Sequence, residues 1–232
     1  MRSAVRTALA CALAACADPD GEGGIVCGDG PTVMGIDVSS HQGEIDWAAA
    51  RAGGVEFAFV RVSDGPSRLD ARFAANWDGA GAQSILRGAY QFFRPEQDPI
   101  AQADLLLGML GPSPGELPPA LAVEATGDLP PAAIEAAVRA WIDRVEPAIG
   151  RPPILYTGFY FWRDEVGAPD LTASPLWHAQ YTSAECPRIA PPWRRWAFWQ
   201  FTQTGRVAGI AADVDIDRWN GTLSDLTRLA AE

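Results

Sequence analysis

Acidic residues stand at the ends of three short apolar runs in this chain. Asp37 follows Val33-Met34-Gly35-Ile36, Glu124 follows Leu121-Ala122-Val123, and Asp215 lies with Asp213 in the last such run. Carboxylates brought together repel one another, so at least one keeps its proton toward neutral pH while another ionises. A carboxylic acid beside a carboxylate is the equipment of glycoside hydrolysis: one group protonates the leaving oxygen, and the other meets the developing positive charge or the incoming water. Singly, each acid has a plainer reading. Asp37 would cap a turn, Glu124 would be a solvated loop acid, and Asp213, Asp215 and Asp217 would be an exposed acidic face alternating along a strand. The functional reading needs one fold that gathers all three ends.

The elements around these acids supply such a fold. β-Branched and aromatic runs at 33–38, 56–62, 85–92, 120–124 and 153–156 are each followed by a helical pattern, at 46–52, 70–82, 98–110, 130–149 and 158–166. Asp46, Asp70 and Asp98 stand where helix N-caps belong, and Pro130-Pro131 suits a first helical turn. Five consecutive β-α units imply parallel strands. Strand-like runs at 176–181, 196–201 and 214–216 then follow, with one last helix at 223–231. The expected fold is α/β: an irregular TIM-like β/α barrel, five β-α units followed by three strands and a C-terminal helix. Active residues in such barrels sit at the carboxyl ends of strands. Asp37 and Asp215, on the first and last strands of a closed ring, should lie side by side, with Glu124 across the mouth.

Composition narrows the classes of partner. The 232 residues carry 18 Lys+Arg, all of them arginine, against 29 Asp+Glu, a net charge of −11, which argues against a nucleic-acid binder. No apolar stretch is long enough to span a membrane. Arg2, Arg6, a short apolar run and Leu13-Ala14-Ala15-Cys16 look like a bacterial lipoprotein signal, with Cys16 acylated as the new N-terminus; an ordinary cleaved secretory peptide, or no signal at all, is the alternative. The expected division is a signal peptide at 1–15, a flexible Gly/Asp-rich tether at 16–30 and one catalytic-size domain at 31–232. Export makes the sole contact with a membrane a lipid anchor at Cys16. Of the four cysteines, processing leaves Cys27 and Cys186, either as a disulfide or as two unrelated thiols. Neither these nor His41 and His178 match a zinc ligand spacing, and no metal or other cofactor is expected.

Flat rings cluster near the same strand ends: Tyr90, Phe92, Tyr156, Trp177, Tyr181, Trp199 and Trp219. Such rings can stack on pyranose faces, although more than half of them are expected to fill the core.

These residues carry a resemblance. Gly35-Ile36-Asp37-Val38-Ser39-Ser40-His41-Gln42-Gly43 with Ile45-Asp46-Trp47, Phe57-Ala58-Phe59-Val60-Arg61, Gly88-Ala89-Tyr90-Gln91-Phe92, Tyr156-Thr157-Gly158, Pro175-Leu176-Trp177 with Gln180-Tyr181, and Trp199-Gln200-Phe201 with Val214-Asp215 occur in this order. Together they resemble glycoside hydrolase family 25, the Chalaropsis-type lysozymes. The resemblance implies an N-acetylmuramidase that cuts the β-1,4 bond between N-acetylmuramic acid and N-acetylglucosamine in peptidoglycan glycan strands. It implies Glu124 as general acid, Asp37 and Asp215 as stabilising acids, and Tyr90, Tyr156, Trp177, Gln180 and Gln200 along the groove; the strand-end rings Phe92 and Tyr181 are expected to bind substrate beside them, and the protein is expected to be a monomer. One departure stands out. The family's Asp-x-Glu reads Ala122-Val123-Glu124 here. The missing Asp is implied to hold the substrate's 2-acetamido group as that group attacks the anomeric carbon, which Ala122 cannot do. Loss of such a stabiliser costs on the order of 10²-fold in rate. Two readings follow, a hydrolase relying on its remaining acids and a catalytically impaired peptidoglycan-binding envelope lipoprotein.

Overall fold

In the computed structural model, which describes residues 23–112 and 114–231, the apolar runs pair edge to edge into a closed ring. The strands are β1 (Thr32–Val38), β2 (Phe57–Asp64), β3 (Arg68–Leu69), β4 (Leu86–Phe92), β5 (Ala120–Ala122), β6 (Ile154–Gly158), β7 (Leu176–Ala179), β8 (Phe198–Gly205) and β9 (Val214–Asn220). The order β1-β9-β8-β7-β6-β5-β4-β2 is closed by a β1–β2 pairing, and β3 is a short hairpin strand on β2. The ring is parallel except for β9, which runs antiparallel to both β1 and β8. The last strand is therefore longer than the 214–216 run read from sequence, and reversed.

Helices α1 (Trp47–Ala52), α2 (Phe73–Ala82), α3 (Pro99–Leu110) and α4 (Pro131–Ile149) pack outside the ring, and α5 (Leu223–Ala231) closes the chain. Asp46 and Asp98 cap α1 and α3 through their side chains. Asp70 divides its carboxylate: Oδ1 accepts from Arg72 N in the turn leading to α2, which starts at Phe73 with Arg72 as its N-cap, while Oδ2 accepts from the Arg61 guanidinium and from Ser40 N. The 158–166 segment is helical over 159–165, with its last five residues, Phe161–Glu165, wound as a π-helix. α4 buries Ile134, Val138, Trp141, Ile142 and Val145 along one face, and the Trp141 indole N–H donates to Gln91 Oε1 at 2.8 Å, tying α4 to β4.

Two apolar layers result. One lies between barrel and helices; the other fills the barrel with Phe57, Phe59, Ile154, Trp177, Phe198, Trp219 and their neighbours. Phe59 stacks on Trp177 with ring centroids 4.3 Å apart. These large rings fit because inward positions opposite them are glycines: a methyl on Gly35 or Gly88 would overlap the ring of Phe57 or Phe59.

Residues 1–15 and Cys16 lie outside the described residues. From Gly23 the chain lies against the barrel: Ile25 bridges to Arg188, Trp196 donates its indole N–H to Val26 O, and Cys27 is bonded to Cys186, with their Cα atoms 4.6 Å apart. The docked residues 23–30 are thus no free tether. Among the described residues no helix is long and apolar enough to cross a membrane.

The packing of Phe57 against Gly35 is testable. Gly35→Val should overpack the barrel interior and cost about 1–3 kcal/mol, read as a lowered urea midpoint; an unchanged midpoint would show that the interior can yield.

Candidate functional site

The carboxyl ends of the parallel strands open onto a cavity of about 230 Å³, lined by acids and aromatics. Because β9 runs the other way, it brings its amino end to this mouth. The register sets Asp215 directly across from Asp37. Two residues on, and so on the same face of the strand, Asp217 lies beneath them in the barrel interior with no solvent exposure. Asp213 points away and pairs with Arg206 at 2.7 Å. The side-by-side placement of Asp37 and Asp215 is thus produced by strand reversal, not by a carboxyl end. The acidic-face reading fails for Asp215 and Asp217, which both face inward.

Glu124 follows the short β5, two residues beyond Ala122, so both lie on the cavity side; Ala122 is buried between Phe92 and Tyr156 on the neighbouring strands. The Glu124 carboxylate opens into the cavity while protein crowds it on the scale over which charge is solvated. That crowding, with a smaller contribution from the Asp215 charge, pushes its carboxyl up to about 7. Burial also raises Asp215, to about 6, held back by a hydrogen bond from Asp37 and by His41. Asp37 is pushed well above the usual carboxylate range, first by burial and then by the charges of Asp217 and Asp215.

One amide orients this cluster. Gln200 Oε1 accepts from the Tyr156 and Tyr181 hydroxyls at 2.8 and 2.7 Å, which turns its Nε2 to donate to Asp37 Oδ2 at 2.6 Å. The loop after β1 is fixed as well. Ser39 Oγ accepts from His41 N, Gln42 Oε1 accepts from Ser39 N, and Gln42 Nε2 reaches Asp213 O ahead of β9.

Of the residues singled out in the sequence, Asp37, Glu124, Asp215, Tyr90, Phe92, Tyr156, Trp177, Tyr181 and Gln200 all line this cavity. Gln180 does not; its Oε1 accepts from Arg188 N at 2.6 Å and holds the loop that carries Cys186. Trp219 pairs with Val33 toward the opposite end of the barrel, and Trp199 packs outside it. Ser39, Arg61 and Gln203 also line the cavity, with His41 and Gln42 of the opening motif. Arg61 ends one of the quoted motifs and sits toward the carboxyl end of β2, a position that marks a mouth residue. It is no spare cation, because Asp70 binds it at 2.8 Å.

Comparison with known proteins agrees with this geometry. The profile of glycosyl hydrolases family 25 matches residues 36–210. A protein of Escherichia coli K12 named uncharacterized protein YegX is 35% identical over 200 residues, 84% of this chain and 72% of the relative. Lysozyme M1 of Streptomyces globisporus is 34% identical over 210 residues, 85% of this chain and 71% of the relative. The crystal structure of a bacterial lysozyme from Streptomyces coelicolor matches with a TM-score of 0.78 at 32% identity, covering 87% of this chain and 98% of that one. With its barrel, its mouth of acids and its ordered motifs, this chain belongs to glycosyl hydrolases family 25 and is a glycoside hydrolase.

Proposed function

We propose that the protein is an N-acetylmuramidase acting on peptidoglycan glycan strands, with Glu124 as general acid and Asp37 and Asp215 as the stabilising acids. The observation that carries this reading is the gathering of Glu124, Asp37 and Asp215 around one cavity, with Asp215 set across from Asp37 by strand register. The surrounding protein raises Glu124 to about 7 and Asp215 to about 6, so Glu124 is the acid better suited to hold a proton and Asp215 the one better suited to ionise. Protonated Glu124 donates to the glycosidic oxygen as the bond to the anomeric carbon breaks, and the resulting carboxylate then takes a proton from the incoming water. Asp215 offsets positive charge on the sugar, and the substrate's acetamido oxygen serves as nucleophile. Tyr90, Phe92 and Tyr181 offer ring faces to the sugars, above a buried floor of Trp177 and Tyr156. A cavity of about 230 Å³ suits a single ring, with neighbouring sugars over the open rim.

A second reading has one observation in its favour. Ala122 presents a methyl group to the cavity where the family pattern places an Asp, so the acetamido group lacks that partner. A protein that holds glycan without cutting it would follow.

Release of reducing ends from purified peptidoglycan separates the two. Glu124→Gln should lower kcat by about 10²–10⁴-fold, and Ala122→Asp should raise it by on the order of 10²-fold. Equal background release by wild type and Glu124→Gln would overturn the hydrolase and leave the binder. We further propose export with acylation at Cys16 and a catalytic domain over 31–232, with residues 23–30 docked onto it. Cys16→Ala should then abolish lipid labelling and membrane fractionation; unchanged fractionation would contradict the anchor.

A further inference from the structure

Asp217 is the buried acid that the mechanism above does not use. It does not line the cavity, so it touches no substrate. Its Oδ1 accepts the Trp177 indole N–H at 2.8 Å, while its Oδ2 has no hydrogen-bond partner among the described residues. Across the register stands Gly35, which offers no side chain. Asp37 is within side-chain hydrogen-bonding reach of both Asp217 and Asp215.

Donors to this cluster are few. The Trp177 N–H serves Asp217, and the Gln200 amide serves Asp37 Oδ2. Two bare carboxylates facing each other in an apolar interior would each lose hydration and repel. A proton on the free oxygen of Asp37, donated to Asp217 Oδ2, removes the repulsion and gives the orphan oxygen its partner.

We propose that Asp217 is a positioning residue acting through Asp37: one proton shared between the two carboxyls makes them a singly charged unit and leaves Asp215 as the acid that ionises at the mouth. Burial is the main reason that both members of the pair are raised, Asp217 to about 7. The charged and titratable groups around the pair are Asp215 on β9, Glu124 beyond β5, Tyr90 on β4, Tyr156 on β6, Tyr181 beyond β7, His41 after β1 and Arg61 on β2. No cation among these neutralises the buried pair: Arg61 is held by Asp70, and His41 acts on Asp215 rather than on Asp37 or Asp217.

The effect on rate rests on the muramidase reading, so the test has one arm that needs no activity. Carboxyl 13C NMR of Asp-labelled protein, with signals assigned through Asp37→Asn and Asp217→Asn, follows each acid across pH. The wild type should show one proton retained by the Asp37–Asp217 pair at neutral pH. Asp217→Asn, whose amide oxygen still accepts from Trp177, should return Asp37 toward the ordinary range. The acid limb of kcat/KM, set by Asp215, should move up in Asp217→Asn by on the order of one pH unit, because the pair's single charge then sits on Asp37 directly across from Asp215, a displacement that a purely structural role would not cause. Ionisation of both acids by mildly acidic pH in the wild type would overturn the proposal, whether or not the variant folds. A protein that never cleaves glycan refutes the muramidase reading instead, and the titration still decides the proton.

Discussion

Backbone hydrogen bonds between β1 and an antiparallel β9 hold Asp215 across from Asp37, and the site is built on that register. A parallel last strand would send its first residues to the far end of the barrel. Reversal brings them to the mouth, and the two-residue period of a strand then places Asp217 beneath. A shift of one residue would turn both β9 acids out of the barrel. The Gly35 gap that admits the Phe57 ring belongs to the same pairing, because Gly35 opposes Asp217. Core packing and carboxylate placement therefore share one constraint.

Burial governs the electrostatics of the mouth more than pairwise repulsion does. It is the largest cause of the upward displacement of Glu124, Asp37, Asp215 and Asp217, with neighbouring charges second or later. The aromatic floor of Phe59, Trp177 and Tyr156 produces that burial by excluding water below the acids. The same rings supply the few donors the acids have, since Trp177 serves Asp217 and Tyr156 fixes Gln200 against Asp37. With Ala122 in place of a further acid, the cavity holds less negative charge than the family pattern provides. In the proposed mechanism, each remaining carboxylate then carries more of the work of meeting a cationic transition state.

Much of this was readable in the residues. Alternation and capping gave β1, β2, β4, β5 and β6 and the helices α1, α3 and α4, because Asp46, Asp98 and the Pro130-Pro131 step are local signals. The direction of β9 was not readable, because no helix precedes it to impose a crossover, and hairpin and parallel connections look alike in a short run. Asp70 was ambiguous for a different reason: an acid ahead of a helical pattern can cap or form an ion pair, and the choice depends on Arg61, nine residues away. Asp217 belonged with Asp215 by strand period alone, yet an alternating acidic row reads equally as a solvated face until burial is known. Gln180 carried a family motif, but its side chain went to the Arg188 amide, a contact fixed by a loop that sequence leaves open.

The most direct measurement is the pH dependence of kcat/KM for the wild-type protein on peptidoglycan, which reports the acid and base of the free enzyme. In the proposed mechanism activity requires ionised Asp215, so it should fall as pH drops through about 6, and protonated Glu124, so it should fall as pH rises through about 7. The result is a narrow bell centred between those values. A broad plateau across neutral pH, with an acid limb in the ordinary carboxylate range near about 4, would contradict the claim that crowding in this barrel mouth separates the two roles.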